Sequence, residues 1–131
     1  MKPPRILIVE DNPMNMELAT DLLEVAGFTV LSATTAEDGL VLASTEQPDL
    51  ILMDIGLPGM DGLEATRRLK QNHATTHIPV VAVSASVMSG DEAKAFVAGC
   101  CAYISRPIDT RQFAKLVAGY LVAKPQAESA S

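Results

Sequence analysis

The sequence predicts an α/β fold, a (βα)5 doubly wound parallel five-stranded sheet with helices on both faces. Five short apolar runs, mostly rich in Val and Ile, recur along the chain and are typical of buried parallel strands. Stretches with helical spacing lie between them, and short alternating units of this kind form an open parallel sheet. The predicted strands are residues 5–9, 28–32, 49–53, 79–84 and 101–104.

The first helix is predicted to begin near Pro13, a residue suited to an opening turn, and to stop at Gly27. Apolar side chains recur between these two residues, and we expect them to face the sheet. The expected inner residues are Leu18, Leu22, Leu23 and Ala26.

Further helices are predicted at residues 36–46, 62–72 and 89–98. The last of these consists mostly of small residues and offers little apolar surface to bury, which suits movement. The final helix has the clearest stripe, with apolar side chains at i, i+3, i+4, i+7 and i+8, and should pack one face on the sheet. That stripe is Phe113, Leu116, Val117, Tyr120 and Leu121.

The chain has 131 residues, 48% of them hydrophobic, which is enough for one sizeable core but not for two. We expect one domain over residues 1–122, followed by a flexible tail of small and polar residues at 123–131. No apolar run reaches the ~18 residues of a membrane span. The chain opens on a strand-like segment rather than a signal peptide, so a cytoplasmic protein is expected.

Net charge and cysteine content narrow the possible functions. Ten basic and sixteen acidic side chains give a net charge of −6, and the basic residues are not clustered, so direct DNA or RNA binding is not expected. Cys100 and Cys101 are sequence neighbours, so a disulfide between distant elements cannot form within one chain. Both are expected to be reduced, packed thiols.

The residues best suited to chemistry stand at the carboxyl ends of the predicted strands, the edge where open parallel sheets bind ligands. Each one alone has an ordinary explanation as a helix cap or turn residue. Together they form a set of three acids, one hydroxyl and one cation. They are Glu10 and Asp11 after the first strand, Asp54 after the third, Ser84 at the end of the fourth and Arg106 just past the fifth.

Three carboxylates at one sheet edge repel each other and are costly without a bound cation or shared protons. Mg²⁺ takes oxygen ligands, commonly one or two carboxylates completed by waters and phosphate oxygens. Glu10, Asp11 and Asp54 therefore suit Mg²⁺ better than zinc or iron. A magnesium site is predicted here, with Mn²⁺ as a substitute ion.

Asp54 stands at the tip of a buried strand, and the turn sequence PGMDG at residues 58–62 keeps it open. A carboxylate in this place can attack phosphorus and form an acyl phosphate. Catalysis of that step consists mainly of positioning and of neutralising the phosphoryl oxygens, which Mg²⁺, Arg106 and the Ser84 hydroxyl could provide.

Four motifs in this order resemble those of the response-regulator receiver domain. They are ILIVEDN at residues 6–12, LMDIGLPGMDG at 52–62, VVAVSA at 80–85 and YISRP at 103–107. The resemblance covers about residues 5–121 and is closest to stand-alone receivers of the DivK type. Receivers fused to hybrid histidine kinases open similarly, so an excised receiver of a longer protein stays an alternative. The family's strand order, 2-1-3-4-5, is implied here.

The resemblance implies that Asp54 accepts a phosphoryl group from a phosphohistidine on a sensor histidine kinase or a histidine phosphotransfer protein. It implies Mg²⁺ on Asp11, Asp54 and the Gly56 carbonyl, with Glu10 acting partly through water. The chain would then be a signalling receiver of a two-component phosphorelay rather than an enzyme. Its own reactions would be Mg²⁺-dependent self-phosphorylation and slow self-dephosphorylation.

The resemblance also implies a switch. Ser84 would move toward the phosphoryl group, the Ala85 backbone would contact it, and Tyr103 would change between outward and inward rotamers. For Tyr103, an ordinary half-buried strand tyrosine is an equal alternative. The fourth helix, fifth strand and fifth helix would present the altered surface to a downstream protein, with the chain a monomer or a phosphorylation-dependent dimer.

Arg106 departs from the family, whose phosphate-contacting position is nearly always lysine. Arginine keeps the charge and can give two donors to a phosphate, but its planar head is larger and reaches further. We therefore expect Arg106 either to pair with Asp54 or Glu10 in the resting state or to lie too far out to couple phosphorylation to the switch.

Three rival functions are alternatives to this one. A flavodoxin-like cofactor binder shares the fold, but Glu10 and Asp11 in the first loop would repel its phosphate. A phosphatase with an Asp nucleophile needs a second acid two residues later, where this chain has Gly56. The main rival is a degenerate receiver that binds partners irrespective of phosphate, with Arg106 as its departure from the pattern.

Overall fold

Five strands and five helices alternate along the chain. The computed structural model describes residues 3–56, 61–84, 91–106 and 108–129, with side chains except at residues 91 and 122–129. The strands are β1 Arg5–Val9, β2 Thr29–Ala33, β3 Leu50–Asp54, β4 Val80–Ser84 and β5 Ala102–Ser105. The helices are α1 Pro13–Val25, α2 Ala36–Glu46, α3 Gly62–Gln71, α4 Asp91–Ala98 and α5 Phe113–Ser129.

All four strand pairings are parallel, and the order across the sheet is β2-β1-β3-β4-β5. The predicted fold class and strand order are confirmed. Each strand lies within one residue of its predicted bounds. β3 ends one residue later than predicted, so Asp54 is its last residue rather than the residue after it.

Helices cover both faces of the sheet. Successive side chains of each strand point to opposite faces, so each strand contributes to the core on both sides. Leu7 and Val9 pack with α2, α3 and α4 on one face, whereas Ile6 and Ile8 pack with α1 and α5 on the other. β3 and β4 are buried along their whole length. β2 was predicted to be buried too, which is wrong: it lies at the sheet edge, and most of its residues are exposed or half-buried.

Two helix faces differ in part from their predicted faces. In α1 the buried residues are Ala19 and Leu23, and Leu22 packs against them, but Leu18 and Ala26 are exposed. In α5 Leu116 is exposed. Each helix does bury an apolar stripe, but Leu18 and Leu116 fall on its flank, and Ala26 lies past the end of α1 as its C-cap.

The chain remains helical beyond the predicted boundary at Ala123, because α5 continues to Ser129. Ala, Lys, Gln and Glu, which are good helix formers, make up most of this stretch. Leu121 is the last residue of α5 whose side chain is described, and it packs against the core. A helix can still move as a unit, so the flexibility of residues 123–131 stays a prediction.

Within the described ranges, no helix is both long and apolar enough to cross a bilayer. Both cysteines are free thiols. Cys100 is buried, with its Sγ 3.9 Å from Oγ1 of Thr66. The expectation of a packed thiol is wrong for Cys101, which is exposed where the chain enters β5.

Candidate functional site

The candidate site lies where the strand order reverses. The chain passes from β1 to β2 on one side and then returns to β3 on the other, which opens a crevice at the carboxyl ends of β1 and β3. Glu10 follows β1 directly and Asp54 ends β3. The fold therefore brings together side chains that are 44 positions apart in the sequence.

Three acids meet in this crevice. Glu10, Asp11 and Asp54 each offer a carboxylate oxygen, and these oxygens lie within 4.8 Å of one another. Glu10 and Asp54 are buried, whereas Asp11 is exposed. The cluster therefore has two acids fixed in the protein and one open to solvent.

The backbone around Asp54 fixes its position. Its Oδ1 accepts a hydrogen bond of 2.9 Å from the Gly56 N–H. Burial raises the pKa of Asp54 above its ordinary value, the bond from Gly56 opposes that rise, and the charge of Asp11 adds to it. The carboxylate is thus oriented while retaining a poorly solvated charge.

Gly62, the last residue of the PGMDG turn that was predicted to keep Asp54 open, shapes the same region. A Cβ atom at this position would lie 2.3 Å from the carbonyl oxygen of Asp54 and 2.7 Å from the Cα of Ile55. Only glycine lets the start of α3 come this close to the end of β3. The glycine in the PGMDG turn was the available signal.

Glu10 is anchored through the start of α1. Its Oε2 accepts a 3.0 Å hydrogen bond from the backbone N–H of Asn12. Asn12 is in turn the N-cap of α1, with its side-chain oxygen accepting from Asn15 N at 3.0 Å. One residue therefore holds the helix start and the buried carboxylate together.

Arg106 reaches into the acidic cluster. Its Nη2 donates to Oε1 of Glu10, and its Nη1 lies 3.8 Å from Oδ1 of Asp54. Its backbone N–H donates to the Ser84 carbonyl at 2.8 Å, which ties β5 to the end of β4. Of the expectations left open for Arg106, resting-state pairing is observed with both acids, through a hydrogen bond to Glu10 and a longer ion pair to Asp54.

Burial affects the Arg106 head directly. Its side chain is 14% exposed, and desolvation lowers the pKa of its guanidinium below its ordinary value. Among the described residues, its Nε is buried without a hydrogen-bond partner. The Nε–H group of Arg106 could therefore donate a hydrogen bond to a ligand in the site.

The remaining predicted residues lie around this cluster. Ser84 is buried at the end of β4, in register with Ser105 of β5. Tyr103 is half-buried on β5 and packs against the core on the α2, α3 and α4 face. Ala85 lies outside the described residues.

Comparisons with known proteins agree with this arrangement. Residues 6–118 match the family model of the response regulator receiver domain. The polar-differentiation response regulator DivK of Brucella anthropi is 45% identical over 119 residues, which cover 91% of this chain and 97% of that protein.

Solved structures of similar fold include two receivers. The CheY-like response regulator receiver domain protein of Methanospirillum hungatei has a TM-score of 0.87 at 27% identity, covering 95% of this chain and 98% of that one. The receiver domain of a sensor histidine kinase from Pseudomonas aeruginosa has a TM-score of 0.85 at 27% identity, covering 92% and 99%. In that structure a magnesium ion is coordinated in the active-site cleft.

Proposed function

The chain belongs to the response regulator receiver domain family of two-component signalling, and on that premise we propose that Asp54 accepts a phosphoryl group from a phosphohistidine. The donor would be a sensor histidine kinase or a histidine phosphotransfer protein. The phosphorylated chain would act through contacts with a downstream protein.

The observation that carries this proposal is the acidic cluster around Asp54. A nucleophilic carboxylate needs a fixed orientation and an oxygen that can reach phosphorus. The Gly56 N–H binds Oδ1 at 2.9 Å, which orients the group. Oδ2 then attacks phosphorus, the O–P bond forms, the N–P bond to histidine breaks, and the imidazole nitrogen keeps the electron pair.

The donor set fits a magnesium ion. Glu10, Asp11 and Asp54 offer oxygen atoms only, within 4.8 Å of one another, and hard oxygen donors are those Mg²⁺ prefers. Asp11, Asp54 and the Gly56 carbonyl would hold the ion, with Glu10 acting through water and Mn²⁺ able to substitute. The ion would neutralise charge on the phosphoryl oxygens.

Three other residues would contact or respond to the phosphoryl group. Arg106 would offer guanidinium donors, since its Nη1 already lies near Asp54. The Ser84 hydroxyl and the Ala85 backbone would bind phosphoryl oxygens. A shift of Ser84 would reach Tyr103 through the β4–β5 pairing, in which Ser84 lies opposite Ser105 and Tyr103 lies opposite Ala82.

The altered surface would comprise α4, β5 and α5. Phe96 and Val97 are exposed apolar side chains on α4, at 45% and 87%, and Leu116 on α5 is 41% exposed. Exposed apolar side chains of this kind suit a protein partner better than a small ligand. The partner surface is therefore proposed on this side of the molecule.

Intact-mass measurement after incubation with Mg²⁺ and acetyl phosphate tests the proposal. We expect one added phosphoryl group, lost in Asp54→Asn and lost with a chelator. Asp49→Asn is a matched control, because it removes a carboxylate at the opposite end of β3 and should still be phosphorylated.

A second function is favoured by one observation, the pairing of Arg106 with Glu10 inside the cluster. If that pair closes the site, the chain would be a protein-binding module that acts without phosphate. Absence of an adduct from both acetyl phosphate and a phosphohistidine donor would favour this second function.

A further inference from the structure

Both carboxylate oxygens of Glu10 already accept hydrogen bonds from the chain itself. Oε1 accepts from Nη2 of Arg106, and Oε2 accepts from the N–H of Asn12 at 3.0 Å. Glu10 is 2% exposed, so water screens its charge little and these two donors largely balance it. Its charge is therefore satisfied without an added cation.

Arg106 is positioned to neutralise more than one acid. Its Nη1 lies 3.8 Å from Oδ1 of Asp54 while Nη2 binds Glu10. The guanidinium therefore spans two of the three acids that meet within 4.8 Å. A positive charge in that place repels a second positive charge brought to the same acids.

We propose that Arg106 is the internal counter-ion of the acidic cluster and competes with a divalent cation for Glu10, so that it sets the cation affinity of the site. This inference rests on the proposed function, because it assumes a cation on Asp11 and Asp54, with Glu10 acting on it through water. By thermodynamic reciprocity, a bound cation weakens the hold of Glu10 on Arg106. Nη2 of Arg106 can then donate to a group bound at Asp54.

Lysine at this position would compete less well. Its ammonium is a single point charge on a flexible stem, whereas the planar guanidinium can place one nitrogen at Glu10 and another near Asp54. Arg106→Lys keeps the charge and removes the bridge. Arg106→Gln removes both.

Titration calorimetry with Mg²⁺ alone, on the full chain without phosphodonor, tests the inference. We expect Arg106→Gln to bind Mg²⁺ about tenfold more tightly than the unaltered chain, and Arg106→Lys to fall between the two. Arg5→Gln removes the same charge at the far end of β1, where Arg5 pairs with Glu46, and should change the affinity less than about twofold.

The Glu10→Gln background separates competition from net charge. There the ion pair is already lost, so Arg106→Gln should tighten Mg²⁺ binding much less than it does with Glu10 present. Equal tightening in both backgrounds would assign the effect to net charge and overturn the inference.

Two further outcomes are distinguishable. Equal Mg²⁺ affinity of the unaltered chain and both Arg106 variants, all folded by circular dichroism, would overturn the inference alone. Absence of Mg²⁺ binding by every variant, together with absence of a phosphoryl adduct, would overturn the proposed function and the inference with it.

Discussion

At the scale of single residues, burial constrains the charge of Asp54. Burial raises its pKa above 3.8, although the bond from Gly56 opposes the rise. The folded chain therefore holds a proton at Asp54 more readily than the unfolded chain does. Protonated Asp54 therefore contributes to the free energy of unfolding. This contribution is complete below pH 3.8 and is lost as the pH rises through the raised pKa of the folded chain.

Asp54→Asn should therefore stabilise the metal-free chain at neutral pH, by roughly 1 kcal/mol, because the amide has a similar shape but no charge to desolvate. The gain should disappear below pH 3.8, where Asp54 is itself protonated. Urea unfolding with a chelator over a pH series measures this.

Asp21→Asn, which neutralises an exposed carboxylate on α1, controls for net charge. A variant at position 54 that is less stable than the unaltered chain at pH 7 would contradict the account of this charge.

The residues at the strand ends could be read from the sequence, but their contacts could not. Strand endings follow from apolar runs, so Glu10, Asp54 and Ser84 were identifiable. Which acids Arg106 contacts depends on how its side chain crosses the crevice, and it contacts both Glu10 and Asp54. The need for Gly62 depends on how closely α3 approaches β3, a distance that no local pattern encodes.

At the scale of helices and strands, the approach of α3 to β3 positions the site. Gly62→Ala would force a Cβ against the Asp54 carbonyl, so it should cost about 3 kcal/mol of unfolding free energy and lower phosphoryl acceptance. Chemical denaturation and intact mass measure the two effects.

Gly119→Ala is the matched control, because no atom lies within 4 Å of the added Cβ on α5. Alanine in an open helical position should raise stability by about 0.5–1 kcal/mol. Equal responses of the two glycines would show that the close approach at residue 62 is not what matters.

Residues 123–131, at and beyond the end of α5, are small or polar and include no large apolar side chain that could fill the core. Removal of residues 123–131 should therefore change the unfolding free energy by less than about 0.5 kcal/mol and leave Mg²⁺ affinity unchanged. Thermal unfolding and titration calorimetry check this. A loss of several kilocalories would mean that the segment packs on the domain and is not a flexible tail.

Helix existence was predictable from periodicity, but the direction of each face was less so. In α1 the apolar residues exceed those needed for one stripe, so Leu18 remains exposed while Ala19 is buried. Which side faces the sheet is decided by the docking of the whole helix. Local spacing cannot supply that information.

For the whole molecule, alternation of strands and helices was sufficient to predict the layers. The strand order came from family resemblance, since spacing alone does not say whether β2 or β3 lies beside β1 on a given side. That order creates the crevice between β1 and β3, where Glu10 and Asp54 lie, and places Ser84 and Arg106 at the adjoining ends of β4 and β5. Fold and site are therefore consequences of one topology.

The most direct test of the central claim is reductive trapping of the phosphorylated chain. Borohydride reduces an acyl phosphate on aspartate to homoserine, which peptide mass spectrometry can locate. After phosphorylation in Mg²⁺, homoserine is expected at position 54 and nowhere else. Homoserine at position 11, or none on a chain that carries the added phosphoryl group, would contradict the assignment of Asp54 as the acceptor.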